Sequence, residues 1–430
     1  MLSQSKSIIF LLIYLFLIYV RPQEFIEELQ GVPLLPVVLV LATALWSLES
    51  RKDLRAPHFK LMGWLYFLMC WSLIKGGLLE EALAAFGDFF PVVLLFFLVA
   101  SGINTLQRLR AMFIVIGIAM TIIAIHSIDE AAKGIGWTGA VPIQGRVIYL
   151  GFLSDPNDLS MAMLMAMPMM VYTAYRAGWL MRMVWLAALG ALMYAIALCD
   201  SRGAVLSLGA ILLHFSVLRF GVKRSMLAAP VLLIPVAVLL LGSSRVGDMS
   251  AKEESAEGRV LAWKQGFLMF FSNPLFGVGK GQFVSYHHIT AHNSYMLALA
   301  ELGYFGFTVW LSILALSVRM CMAVESQHEC KPPEPSPNML PAEDWGEVRL
   351  CSRVLWLGLT GALTAMFFLS RSYTMLIYVH MAMVVATWQM ARRSNVLMST
   401  MTWSMHAKQM FLLSMGGVVF LYLVTLKLSS

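Results

Sequence analysis

Where long apolar runs break, the sequence places arginines and one histidine, residues suited to handling phosphate and a proton. Arg146, Arg202, Arg259 and Arg371 stand in or beside such breaks, together with Asp155-Pro156-Asn157, Ser201-Arg202-Gly203-Ala204 and His292-Asn293-Ser294-Tyr295. A guanidinium holds phosphate oxygens through paired donors and keeps its charge, so several facing one cavity make a polyanion site. A neutral imidazole nearby can accept a hydroxyl proton. Each residue also has a simpler reading. Arg202 can pair with Asp200 or reach lipid headgroups, and Arg21 and Arg245 read as headgroup anchors. Arg371, in the tight Ser370-Arg371-Ser372 turn, is open to either use. Asp155 and Asn157 suit the cap of a helix starting near Asn157, and His292 beside Asn293 suits either a cap or proton handling. Asp155 and Asp158 could hold a metal, but two carboxylates beside a proline at a helix start fit capping better. Cys321, Cys330 and Cys351, with His328 nearby, lack a CxxC pair and read as reduced thiols of a cytoplasmic loop, so no metal is expected. The glycines of Phe276-Gly277-Val278-Gly279-Lys280-Gly281 lack the spacing and strand context of a phosphate loop and read as a turn.

The elements that position these residues belong in a membrane. Of 430 residues, 59% are hydrophobic and 13% charged, about half the charged fraction of a soluble domain, and mean hydropathy is +0.76. The net charge of +7 would suit nucleic acid, but the basic residues cluster in short loops between apolar runs, as membrane orientation requires, and nucleic-acid binding is a poor reading. A helix needs roughly 20 apolar residues to cross hydrocarbon. That template marks spans near 7–20, 32–48, 60–74, 88–103, 111–127, 157–175, 183–199, 203–219, 225–242, 293–318, 354–369, 373–390 and 408–427. The expectation is an all-α polytopic membrane bundle of about 12 to 14 transmembrane helices, a single transmembrane domain over 1–430. The first apolar run is followed by Arg21-Pro22-Gln23-Glu24 without a small-residue cleavage site, so it reads as a retained span.

With the N-terminus in the cytoplasm, most of the 31 basic residues fall in inner segments, among them Arg51, Lys52, Arg55 and Lys60, then Arg108 and Arg110, then Arg392 and Arg393. This orientation puts the arginine and histidine clusters on the outer face. Two outer loops are long, 128–156 and 243–292. The second contains an apolar stretch, 260–276, with Trp263, Phe267, Phe270 and Phe271, which reads as an amphipathic helix at the membrane interface, ended by Asn273-Pro274. The inner loop 319–353 contains Lys331-Pro332-Pro333-Glu334-Pro335 and reads in part as a flexible linker.

Taken in order, Asp155-Pro156-Asn157, Ser201-Arg202-Gly203-Ala204, Gly258-Arg259 with Trp263, Asn273-Pro274-Leu275-Phe276-Gly277-Val278-Gly279, His292-Asn293-Ser294-Tyr295 and Glu301-Leu302-Gly303 form a pattern over about 140–310. This pattern resembles the O-antigen ligase and polymerase family of bacterial envelope glycosyltransferases. Tyr19-Val20-Arg21-Pro22-Gln23-Glu24 further resembles the subgroup of exosortase-associated O-glycosylation ligases. The resemblance implies a polyprenyl-diphosphate-linked glycan donor, used at the periplasmic face of the inner membrane without nucleotide sugar, metal or other cofactor. It implies that Arg202 and Arg259 bind the diphosphate and that His292 acts near the acceptor hydroxyl or the leaving group. Arg146 and Arg371 are further phosphate candidates, with Asp155, Asn157, Ser201, Asn293 and Tyr295 in support. Physical chemistry agrees: arginines would stabilise charge building on a diphosphate leaving group, and an imidazole would take the acceptor proton in an inverting transfer. The acceptor, whether lipid, protein or a growing glycan, separates a ligase from a repeat-unit polymerase and stays open. A polysaccharide or lipid transporter is the rival from another class. It would place charges near mid-span, where this chain has almost none.

Overall fold

The computed structural model of the chain describes residues 6–49, 52–227, 229–230, 249–330 and 344–429, with backbone alone for 249–256 and 429. Arg245, the Lys331-Pro332-Pro333 linker and most of the expected span 225–242 lie outside the described residues. In chain order the helices are α1 (Lys6–Val20), α2 (Leu34–Ser47), α3 (Pro57–Lys75), α4 (Leu79–Gly102), α5 (Leu106–Lys133), α6 (Pro156–Arg176), α7 (Trp179–Leu198) and α8 (Arg202–Phe220). They continue with α9 (Met249–Ser272), the short α10 (Phe283–Tyr286), α11 (Ser294–Ser326), α12 (Trp345–Ala365), α13 (Met375–Ser394) and α14 (Trp403–Ser429). The described residues contain no strand, and an isolated bridge joins Ile143 to Arg146. The chain is an all-α polytopic membrane protein.

Apolar runs become helices because, in lipid, a helix satisfies every backbone N–H and C=O within one segment. α4, α5, α7, α8, α11 and α14 are long and apolar enough to cross a membrane by themselves, while α1 and α2 are apolar but shorter. Several helix boundaries differ from the sequence reading: α4 begins at Leu79 rather than near 88, α5 runs to Lys133 rather than near 127, and α9 begins at Met249 rather than near 260. α11 continues to Ser326 and α12 begins at Trp345, so helix fills both ends of the segment 319–353. The charges that read as loop are paired across helix ends. Glu325 meets Arg349 and Arg353, and Glu347 meets Arg110 and Arg176 and accepts from the Tyr172 hydroxyl. Cys321 and Cys351 are accordingly buried within α11 and α12 rather than in a polar loop.

The bundle is built around α6 and α13. α6 packs against α5, α7, α8 and α12, and α13 is buried along nearly its whole length among α4, α11 and α12. Gly358 on α12 makes the close approach feasible: a Cβ there would lie 2.7 Å from the Met165 carbonyl oxygen and 2.6 Å from the His380 ring. Small residues of this kind let membrane helices meet at backbone distance. α9 packs against α11 and α14, burying Ala262, Trp263 and Phe267 and leaving Leu261, Leu268 and Phe271 exposed. It ends at Ser272, just ahead of Asn273-Pro274.

α11 is broken near its start. Gly303 adopts φ 62 and ψ −167 inside the helix. The backbone groups freed by the break pair with the segment after α9: Val278 N–H donates to Ala300 O at 3.1 Å, Gly279 N–H to Glu301 O at 2.9 Å, and Tyr304 N–H to Pro274 O at 2.8 Å. Gly277 and Gly303 face each other so closely that a Cβ on either would collide with the other's backbone. The glycine-rich stretch is therefore a turn, and its function is to complete a broken helix.

Candidate active site

The segment after α12, residues 366–372, is where several helix ends meet. Ser294, the first residue of α11, is tied to it repeatedly. Its N–H donates to Met366 O at 2.8 Å, its Oγ donates to Leu369 O at 2.5 Å and accepts from Arg371 N–H at 2.9 Å, and its carbonyl accepts from Ser372 Oγ at 2.7 Å. Trp310 and Tyr378 both donate to the Ser372 carbonyl. Phe367 packs edge-on against Trp263 of α9, with ring centroids 5.6 Å apart. Phe368 lies over Gly203 at the start of α8. Arg371 binds Asp158, in the first turn of α6, side-on through one edge of its guanidinium, Nε to Oδ1 at 2.6 Å and Nη2 to Oδ2. The N-terminal ends of α6, α8 and α11 and one side of α9 thus converge on one turn, and three positive helix-dipole ends add to the arginines nearby.

His292 lies in this convergence, half-buried, with a left-handed φ of 46. Such a backbone is uncommon for a residue other than glycine and persists where its neighbours hold it. On one side, the Ala291 carbonyl accepts from Trp263 Nε1 at 2.8 Å. On the other, Asn293 caps α11, its Oδ1 accepting from Tyr295 N–H at 2.9 Å and Met296 N–H at 3.0 Å. Burial, foremost, and then the nearby Arg259 hold the His292 imidazole below its ordinary pKa; Asp155 opposes this, and Arg371 adds to it. The neutral form, the one able to accept a proton, is favoured.

The remaining sequence-derived residues fall around this centre in different roles. Arg202 is the first residue of α8, exposed and without a hydrogen bond or ion pair among the described residues. Ser201 before it caps the helix, accepting from Ala204 N–H at 3.3 Å. Arg259 is half-buried on α9. Arg146 is buried and donates to Cys199 O at 2.7 Å and Asn157 Oδ1 at 2.8 Å. Asp155 caps α6, accepting from Asn157 N–H at 2.8 Å, so the capping reading and a place near the site hold together. Tyr295 turns into the packing between α11 and α12, with its hydroxyl on Leu363 O at 3.1 Å. Arg202 thus stands exposed at the start of α8 and Arg259 lies near His292 on α9, whereas Arg146 binds Asn157 and Arg371 binds Asp158. No group of three His, Cys, Asp or Glu side chains that could hold a metal gathers among the described residues.

The sequence reading did not single out Ser294 or the 366–372 turn as organising parts. The available signal was serine on both sides of Arg371 between two apolar runs, a polar break too short for an ordinary loop.

A polytopic α-helical membrane protein with a cationic end built from helix N-termini, arginines and a neutral-leaning histidine is the class that fold and site define. Residues 161–311 match the family model described as O-antigen ligase, and over that stretch the chain is similar to this family. The matched stretch contains Arg202, Arg259 and His292, while Arg146, Asp155, Asn157 and Arg371 lie outside it. Among curated proteins none matches the chain.

Proposed function

We propose that the chain is a glycosyltransferase of the bacterial inner membrane that moves a polyprenyl-diphosphate-linked glycan onto an acceptor hydroxyl at the periplasmic face. The observation that carries this reading is the meeting of a half-buried, neutral-leaning His292 with Arg259, next to the start of α8 that bears Arg202. In the proposed step the acceptor oxygen bonds to the anomeric carbon as the C–O bond to the diphosphate breaks. The acceptor proton passes to the His292 imidazole, and polyprenyl diphosphate leaves with the bonding electrons. Arg202 and Arg259 stabilise the charge that builds on the leaving oxygen, in a site where few water dipoles compete. Neither a nucleotide sugar nor a metal is needed for this transfer. Attack from the face opposite the leaving group gives inversion.

A transporter reading is disfavoured by where the charges sit. The buried carboxylates Glu130, Asp158 and Glu301 all stand near the site end of their helices rather than at mid-span.

The test is transfer from a polyprenyl-diphosphate glycan in membranes carrying wild type, Arg202→Ala or His292→Ala. Each substitution is expected to lower the rate by about 10²-fold or more at normal membrane abundance. Undiminished transfer by both variants would sink the proposal. The size of the product distinguishes a single transfer to lipid or protein from polymerisation.

A further inference from the structure

Arg371 is a phosphate candidate in the sequence, yet its guanidinium is bound side-on, through Nε and Nη2, to Asp158, whose side chain is 3% exposed. Its backbone N–H is also committed, to Ser294 Oγ. This joins three parts of the chain in series: the first turn of α6, the 366–372 turn, and the first residue of α11, two positions after His292. The left-handed backbone of His292 is held on its other side by the Trp263 bond to Ala291, so the Ser294 side needs an equally fixed anchor. The turn that supplies this anchor follows the helical bonding of α12 only as far as Phe368, and Asp158 ties its far part to α6.

We propose that Asp158, Arg371 and Ser294 form a positioning strut that sets the location of His292 relative to Arg202 at the start of α8 and Arg259 on the side of α9, without touching the substrate. This rests on the reading of His292 as the proton acceptor. Proton transfer depends steeply on distance, and displacement of a reacting group by about 1 Å can cost on the order of 10²-fold in rate. Asp158→Asn leaves the charge of Arg371 in place, so it loosens the strut without removing a cation from the site. A ligand role for Arg371 makes the opposite prediction: the freed guanidinium would bind donor more tightly.

The experiment measures initial rates against donor concentration for wild type, Asp158→Asn, Arg371→Lys and Ser294→Ala in membranes, with polyprenyl-diphosphate glycan as the probe and rates normalised to enzyme abundance. The strut predicts kcat lower by about 10²-fold in the first two variants and about tenfold in Ser294→Ala, with donor KM within about threefold of wild type. A KM raised tenfold or more with kcat retained in Arg371→Lys would make Arg371 a ligand and overturn the strut. Unchanged kinetics in all three would do the same. If the two charge-pair variants fail to reach the membrane, Ser294→Ala decides alone, because it removes a hydroxyl and leaves the ion pair intact. Full activity in His292→Ala is the separate result that would remove the histidine's assigned role, and the strut would then have nothing to position.

Discussion

At the level of single residues, His292 is set apart by the charges around it. Arg259 faces it from α9, Asp155 from the cap of α6 and Arg371 from the turn before α13. Its imidazole is held below the ordinary histidine value, so the proton-accepting form survives to lower pH, and activity falls as pH drops through that lowered value. Arg259→Gln removes a cation that opposes protonation. The pKa rises, and the acid limb of the rate profile moves to higher pH. Asp155→Asn removes the opposing anion and moves the limb lower. Rate profiles at saturating donor check both directions, and a limb that stays fixed in both variants would exclude His292 as the titrating group. The histidine and the arginines were legible in the sequence because a cation at the end of an apolar run is costly there. Asp158 was legible only as a cap, because its partner Arg371 lies 213 positions away in the chain.

Among the elements, α11 depends on a contact that its own sequence does not reveal. In the sequence, Gly303 stands only as the last residue of Glu301-Leu302-Gly303 within the expected span 293–318. The break becomes visible once the segment after α9 is laid against it. Gly303→Ala would force a non-glycine residue into φ 62 and drive its Cβ into backbone that has no side chain to move aside. The expected loss is about 2 to 5 kcal/mol, combining backbone strain with overpacking. Gly139→Ala also changes a left-handed glycine, φ 83, but meets nothing within 4 Å, so its cost stays near about 1 kcal/mol. Thermal unfolding of the purified protein in detergent compares the two, and equal losses would contradict the close approach. The helix starts were readable from Asp155, Ser201 and Asn293, since capping is local chemistry. Helix ends near Ser326 and Trp345 were not, because the charges there are neutralised by partners on other helices.

For the whole molecule, charge is paired at both ends. At the end opposite the site, Glu325, Glu347 and Asp53 each hold arginines. At the site end, Arg371 is paired with Asp158, whereas Arg202 has no such match among the described residues. The proposed orientation puts the end with Glu325, Glu347 and Asp53 in the cytoplasm. Cys330, half-buried beside Ser394 at that end, is a natural reporter once Cys70, also half-buried, is replaced by serine, while Cys199, Cys321 and Cys351 are buried. A membrane-impermeant maleimide on spheroplasts should leave Cys330 unmodified until the membrane is permeabilised. Thr138→Cys, at an exposed position of the loop after α5, should react without permeabilisation. The reverse pattern would invert the orientation and with it the face on which transfer occurs. The composition already dictated a membrane bundle. Which helix ends share a site could not be read from it, because that depends on how α6, α8, α9 and α11 pack around one short turn.

The break in α11 also works as a ruler. Unbroken, its 33 residues would extend about 50 Å at 1.5 Å per residue, far beyond a hydrocarbon core of about 30 Å. The break leaves a lower piece, 303–326, of about 36 Å and an upper piece, 294–302, of about 14 Å. The lower piece is long enough to cross the bilayer, and in the proposed orientation the upper one would stand above it with His292 at its end. Under the proposed function, the position of Gly303 would set the height of His292 over the lipid surface to which the donor diphosphate is tethered.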